Sequence, residues 1–87
     1  MILPTYWESI LDPVVVFGKI LRALRREASL TQEQLAFKAG VERNFISLIE
    51  RGVNQPTVKV IFKLATALNT KPSKILALVE IEVDRNS

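Results

Sequence analysis

The sequence predicts an all-α domain of five short helices, and three observations carry that prediction. Apolar residues recur at intervals of three and four along most of the 87-residue chain, the spacing that lines one face of a helix. Residues that start helices (Asp12-Pro13, Thr31, Thr57, Pro72) alternate with residues that stop them (Gly40, Gly52, Asn69). With 48% hydrophobic residues and no cysteine, the chain can bury one core without a covalent staple, but not two cores.

The first twelve residues, MILPTYWESILD, are set apart as an N-terminal arm. They carry Glu8, Asp12 and Pro4 and no basic segment, unlike a secretory leader. No apolar run approaches the roughly 20 residues that span a bilayer. A soluble, cytoplasmic protein with no membrane partner is therefore expected. Tyr6, Trp7 and Ile10 can pack onto the same domain or onto a second subunit, and the sequence does not choose.

Residues 13–79 form the predicted domain. Asp12 reads as an N-cap and Pro13 as the first helical residue, where its missing N–H costs nothing. Phe17, Ile20, Leu21 and Leu24 follow at helical spacing, with Arg22, Arg25 and Arg26 between them, and the helix ends near Ala28. The β-branched run Val14 to Phe17 could instead form a short strand. Ser29 or Thr31 caps a second helix, Gln32 to Ala39, which Gly40 stops. A third runs from Glu42 to Arg51, and Gly52 takes the left-handed position after it. Thr57 caps a fourth, in which Val58, Ile61, Leu64, Ala65 and Leu68 share a stripe, and Asn69 ends it. Pro72 opens a fifth, ending at Val79. Residues 80–87 are a C-terminal tail, and the alternation in EIEVD suits a short strand or an ordered extension.

The spacing inside Gln32 to Ile49 is specific. With Gln32 as position one, Ala36 falls at five, Gly40 at nine, Val41 at ten, Ile46 at fifteen and Ile49 at eighteen. Two helices that cross steeply over a tight turn need a small residue at their closest approach, a residue free to take positive φ in the turn, and apolar side chains in the wedge. On a helical wheel the third helix then divides. Phe45, Ile46 and Ile49 face inward, while Arg43, Asn44, Ser47 and Arg51 face out and Leu48 lies on the border. An exposed Arg and Asn at the N-terminal end suit the major groove, where Arg matches guanine O6 and N7 and Asn matches adenine.

Charge points to the same class of partner. The arm and the tail each carry two more acids than bases, whereas Lys19 to Val79 holds eleven of the twelve basic residues against four glutamates. Such concentration favours a polyanion. Enzymatic chemistry is disfavoured: there is no histidine or cysteine to move protons or bind metal, and no glycine-rich phosphate loop. No cofactor, metal or small-molecule ligand is expected.

LTQEQLAFKAGVERNFISLIERGVNQPTVKVIFKLATALN, Leu30 to Asn69, resembles the lambda-repressor-like, Cro/C1-type (Xre) helix-turn-helix domain. The segment ERNFISLIERG is most similar to the controller proteins of restriction–modification systems. The resemblance spans roughly Gly18 to Leu78. It implies that Arg43, Asn44, Ser47 and Leu48 read bases, that Gln32, Asn54, Gln55 and Thr57 hold phosphates, and that Arg25 and Glu50 form a structural ion pair. Lys38 and Arg22 are further phosphate candidates, and Phe45 mainly packs. Two departures stand out: Ser29 replaces the glycine usual after the first helix, and Asn54 and Gln55 replace more basic loop residues. The expected function is that of a sequence-specific transcriptional regulator, a repressor, binding a double-stranded operator as a homodimer. Ile75, Leu76, Leu78, Val79, Ile81 and Val83 supply the expected dimer surface, with packing inside the monomer as the alternative. The rival expectation is an antitoxin or adaptor that uses the same scaffold to bind protein.

Overall fold

In the computed structural model, which describes residues 12–85, the described residues form five helices and no strand: α1 (Pro13–Glu27), α2 (Gln32–Ala39), α3 (Arg43–Glu50), α4 (Val58–Ala67) and α5 (Pro72–Arg85). The expected packing of Tyr6, Trp7 and Ile10 lies outside the described residues. None of the described helices is long and apolar enough to cross a membrane.

Each helix begins where local chemistry dictates. The Asp12 carboxylate accepts from the Val14 N–H at 2.9 Å, so α1 starts at Pro13 and the strand alternative for Val14 to Phe17 is not taken. Thr31, rather than Ser29, caps α2. Its hydroxyl accepts from the Gln34 N–H at 3.0 Å, and the Gln34 side chain accepts from the Thr31 N–H at 2.9 Å, a reciprocal capping box. The Thr57 hydroxyl accepts from the Val60 N–H at 3.2 Å and caps α4. The third helix is one residue shorter at each end than its sequence pattern, because Glu42 is extended and gives no side-chain cap, and Arg51 is the C-cap.

The first four helices end alike. Ser29, Gly40, Gly52 and Asn69 all take positive φ, between 56° and 74°. In each turn the next N–H reaches back to a carbonyl five residues earlier: Leu30 to Arg25, Val41 to Ala36, Val53 to Leu48 and Thr70 to Ala65, at 2.9–3.1 Å. This closure lets the chain reverse within a few residues.

The apolar stripes then meet in one core. Leu21, Leu35, Ile46, Ile49, Leu64 and Ile75 are wholly buried, with Val16, Phe17, Ala36, Ala39, Ala65 and Val79 around them. Helix α1 packs on α3 and α5, α2 on α3 and α4, and α4 on α5. Gly18 makes the α1–α3 contact possible: a Cβ on it would stand 2.3 Å from the Ile49 carbonyl oxygen and 2.8 Å from that of Glu50.

The last helix corrects two expectations. It does not stop at Val79 but continues to Arg85, so Glu80 to Asp84 are helical rather than extended. No Gly, Pro or Asn interrupts that stretch, Glu82 and Arg85 pair at 3.4 Å, and Val83 joins Ile75 and Val79 against the core. The expected dimer surface is corrected at Ile75 and Val79, which are spent on the monomer's own core. Leu76 and Ile81 are exposed, at 47% and 58%, and Leu78 and Val83 are half-buried. At about 100° per residue, Ile81 lies roughly 140° round the helix from Leu76, so these residues do not form one face.

Candidate nucleic-acid interface

Helix α3 is held by its inner stripe. Ile46 and Ile49 have no solvent exposure, and Phe45 is half-buried against the core. The opposite side carries Arg43 and Asn44, both exposed, with Ser47 and Leu48 half-buried one turn on. All four expected base readers thus lie on the part of α3 that the core does not use. Arg51 is exposed beyond the helix end.

Behind this face lies a buried ion pair. Arg25 Nε donates to Glu50 Oε2 at 2.6 Å and Arg25 Nη2 to Glu50 Oε1 at 3.0 Å, while Nη1 donates to the Leu30 carbonyl at 2.8 Å. Both residues are 8% exposed, and no buried side-chain polar atom among the described residues lacks a partner. The pair ties the end of α1 to the end of α3, the structural role the resemblance implies. Removing one partner strands the other charge in the interior, which costs about 3–5 kcal/mol. The hydrogen bond to Glu50 raises the Arg25 pKa, desolvation opposes that rise, and the charge of Glu50 adds to it. A raised cation stabilises the fold fully below its unfolded pKa and loses that contribution only as pH climbs through the folded value. For arginine this lies in strong alkali, so Arg25 is no switch near neutrality.

The network extends outward from Glu50. Gln32 Nε2 donates to Glu50 Oε1 at 3.1 Å, and Arg43 Nη1 donates to Gln32 Oε1 at 3.3 Å. The structure therefore joins the first residue of α2 to the first residue of α3. Gln32 and Arg43 were each expected as site residues from the resemblance; the link between them was not expected.

The expected phosphate residues are more scattered. No hydrogen bond or ion pair among the described residues joins Asn54, Gln55 or Thr57 to the Gln32–Arg43 pair. Gln55 is exposed and borders a shallow apolar groove with Pro13, Phe17, Pro56, Ile61 and Leu76. The Thr57 oxygen accepts from Val60, which leaves its hydroxyl hydrogen to donate. The N–H groups of the first two residues of α2 and of α4, ahead of the capped Gln34 and Val60, precede the helices' own hydrogen bonds and can meet an anion. Lys38 and Arg22 are exposed.

Comparison with known proteins agrees with this architecture. The profile of a family described as helix-turn-helix matches residues 21–75. Control protein C.BamHI of Bacillus amyloliquefaciens is 34% identical over 68 residues, which are 77% of this chain and 84% of that one. The crystal structure of the restriction–modification controller protein C.AhdI from Aeromonas hydrophila superposes with a TM-score of 0.70 at 42% identity, covering 71% of this chain and 94% of that one. The controller protein C.Esp1396I, crystallised as a tetramer with its natural 35-base-pair operator, gives a TM-score of 0.75 at 25% identity, covering 82% and 93%.

Proposed function

The chain belongs to the helix-turn-helix family, in its Cro/C1-type group of DNA-binding transcriptional regulators, and from that premise we propose that it occupies an operator as a two-fold dimer and reads it with α3. The observation that carries this reading is the division of α3 between the buried Ile46 and Ile49 and the exposed Arg43 and Asn44. Arg43 contacts guanine O6 and N7, Asn44 adenine N6 and N7, Leu48 a thymine methyl, and Ser47 a neighbouring base edge. The start of α2 at Gln32 and the start of α4 capped by Thr57, with Asn54 and Gln55, hold the flanking phosphates and set the register.

One recognition helix spans only a few base pairs, so a dimer reading half-sites about 34 Å apart supplies both affinity and specificity. Exposed Leu76 lies beside half-buried Val83 on a shallow groove that also includes Pro13 and Ala77, and this apolar face is the proposed dimer contact. Leu78 and Ile81, on another side of α5, extend it only if the partner wraps round the helix. Occupying the operator excludes polymerase, and such repression needs no further surface. The reading includes no catalytic step, cofactor or metal, and it places the protein with the DNA in the cytoplasm.

Selection from random DNA should return a two-fold site. Arg43→Ala should then lose about 1–3 kcal/mol on that site, with relaxed preference at one base pair of each half-site. Unchanged affinity and preference would remove Arg43 as a reader. The adaptor reading draws support from Phe37 on α2, which is 87% exposed; a monomer in light scattering with no DNA footprint would favour it.

A further inference from the structure

The N-terminal arm, residues 1–11, joins the folded domain at Asp12, and the next residue, Pro13, stands on the rim of two apolar grooves. We propose that the arm of each chain docks in cis into one of these, the groove between the start of α1, α4 and α5, with Trp7 as its anchor. The inference goes beyond the reading of DNA by α3 and does not depend on it.

Charge and size choose the groove and its occupant. The groove along α5, which holds the proposed dimer contact, is flanked by Glu80 and Asp84. The other is lined by Val14, Phe17, Gln55, Pro56, Ile61 and Leu76, and no charged side chain among the described residues borders it. The arm carries Glu8 and no lysine or arginine, so it meets like charge in the first groove and none in the second. The second groove holds about 180 Å³, below the roughly 300–1,000 Å³ of a small-molecule pocket. That volume suits one or two side chains.

The arm has the side chains to fill it. Seven of its eleven residues are hydrophobic, among them the chain's one tryptophan and one tyrosine, and large aromatic side chains gain most from leaving water for an apolar site. Connectivity allows this without a partner. Trp7 lies six residues before Pro13, an extended reach of about 20 Å, whereas Phe17 stands about 6 Å along α1 from Pro13. DNA is the poorer cover for the arm, because Glu8 and Asp12 repel its phosphates. Docked in this way, the arm also covers the side of Leu76 that the proposed dimer contact leaves open.

Because Trp7 is the single tryptophan, its fluorescence in the full chain reports the arm alone. Its emission should be shifted to the blue of N-acetyltryptophanamide and shielded from acrylamide. Both signals should be present without DNA and should persist on dilution to where sedimentation finds only monomer. Val14→Glu puts a charge into the groove at a half-buried position in the first turn of α1, where an acid suits the helix start. It should keep the helical circular dichroism and return Trp7 to solvent-exposed emission. Ile61→Gln, on the opposite wall, makes the same test if the first variant fails to fold. Trp7→Ala should lower the melting temperature by about 5–15 °C. Exposed emission in the full chain, or a melting temperature that Trp7→Ala leaves unchanged, would overturn the inference. So would a blue shift that survives both groove variants, since the arm would then pack elsewhere. Loss of the shift on dilution would give the groove to the partner's arm, and a shift that arises only with operator DNA would give the arm to the DNA; either result overturns docking in cis.

Discussion

At the scale of single residues, Ser29 shows how a departure from a family pattern is absorbed. The resemblance puts glycine there, and serine either alters the turn or accepts strain. The turn is unaltered: Ser29 sits at φ 58°, and the Leu30 N–H still closes onto the Arg25 carbonyl at 3.1 Å. The residue therefore carries the steric cost of a Cβ in the left-handed region. Ser29→Gly should stabilise the protein by about 0.5–1 kcal/mol, less than the full strain because glycine has more freedom to lose on folding, and chemical denaturation measures the change. A shift of the midpoint in the other direction would mean that the serine hydroxyl contributes something its contacts do not reveal. The Arg25–Glu50 pair was also legible, through the register of the motif. The bond from Gln32 to Glu50 was not, because eighteen residues separate them and only the crossing of α2 and α3 brings them together.

At the scale of elements, two glycines are required for opposite reasons. Gly40 has nothing within 4 Å of where its Cβ would be, but its φ is 69°, so conformation alone disfavours other residues there. Gly18 lies within a helix, and a Cβ there would collide with the carbonyls of Ile49 and Glu50. Gly40→Ala should cost about 1–2 kcal/mol of stability and leave the DNA affinity of the folded protein intact. Gly18→Ala should cost about 1–3 kcal/mol and also weaken operator binding, because α3 must move to admit the methyl group. Denaturation curves and operator titrations on both variants separate the two cases, and equal operator affinity would show that α1 yields instead. The spacing around Gly40 announced its role. For Gly18 the only signal was an unexplained glycine inside a helical pattern, and that does not name the surface it approaches. The end of α5 departs from its sequence pattern for a related reason. Alternation over five residues fits a strand, whereas the pairing of Glu82 with Arg85 and the inward turn of Val83 favour helix.

At the scale of the whole molecule, helix order and core were legible because starts, stops and stripes are local signals. The surface left for a partner was not, since which apolar residues of α5 the monomer consumes depends on where α1 and α4 lie. Leu76→Glu puts a charge on the proposed contact at a position already 47% exposed, so the fold should persist. Sedimentation should show a monomer, and operator affinity should fall by far more than affinity for random DNA, since a lone subunit reads only one half-site. An unchanged dimer would move the contact to the side of Ile81. The division of α3 also bears on how such a protein diversifies. The side chains of Asn44 and Ser47 make no hydrogen bond among the described residues, so on the proposed reading exchanging them would alter what is read while the scaffold stays as it was. Arg43 has less latitude. Any successor there meets the Gln32 side-chain oxygen to which Arg43 donates at 3.3 Å, and it must donate in turn to keep that bond. If α3 reads bases as proposed, specificity can therefore drift readily along the helix but is conservative at its first residue.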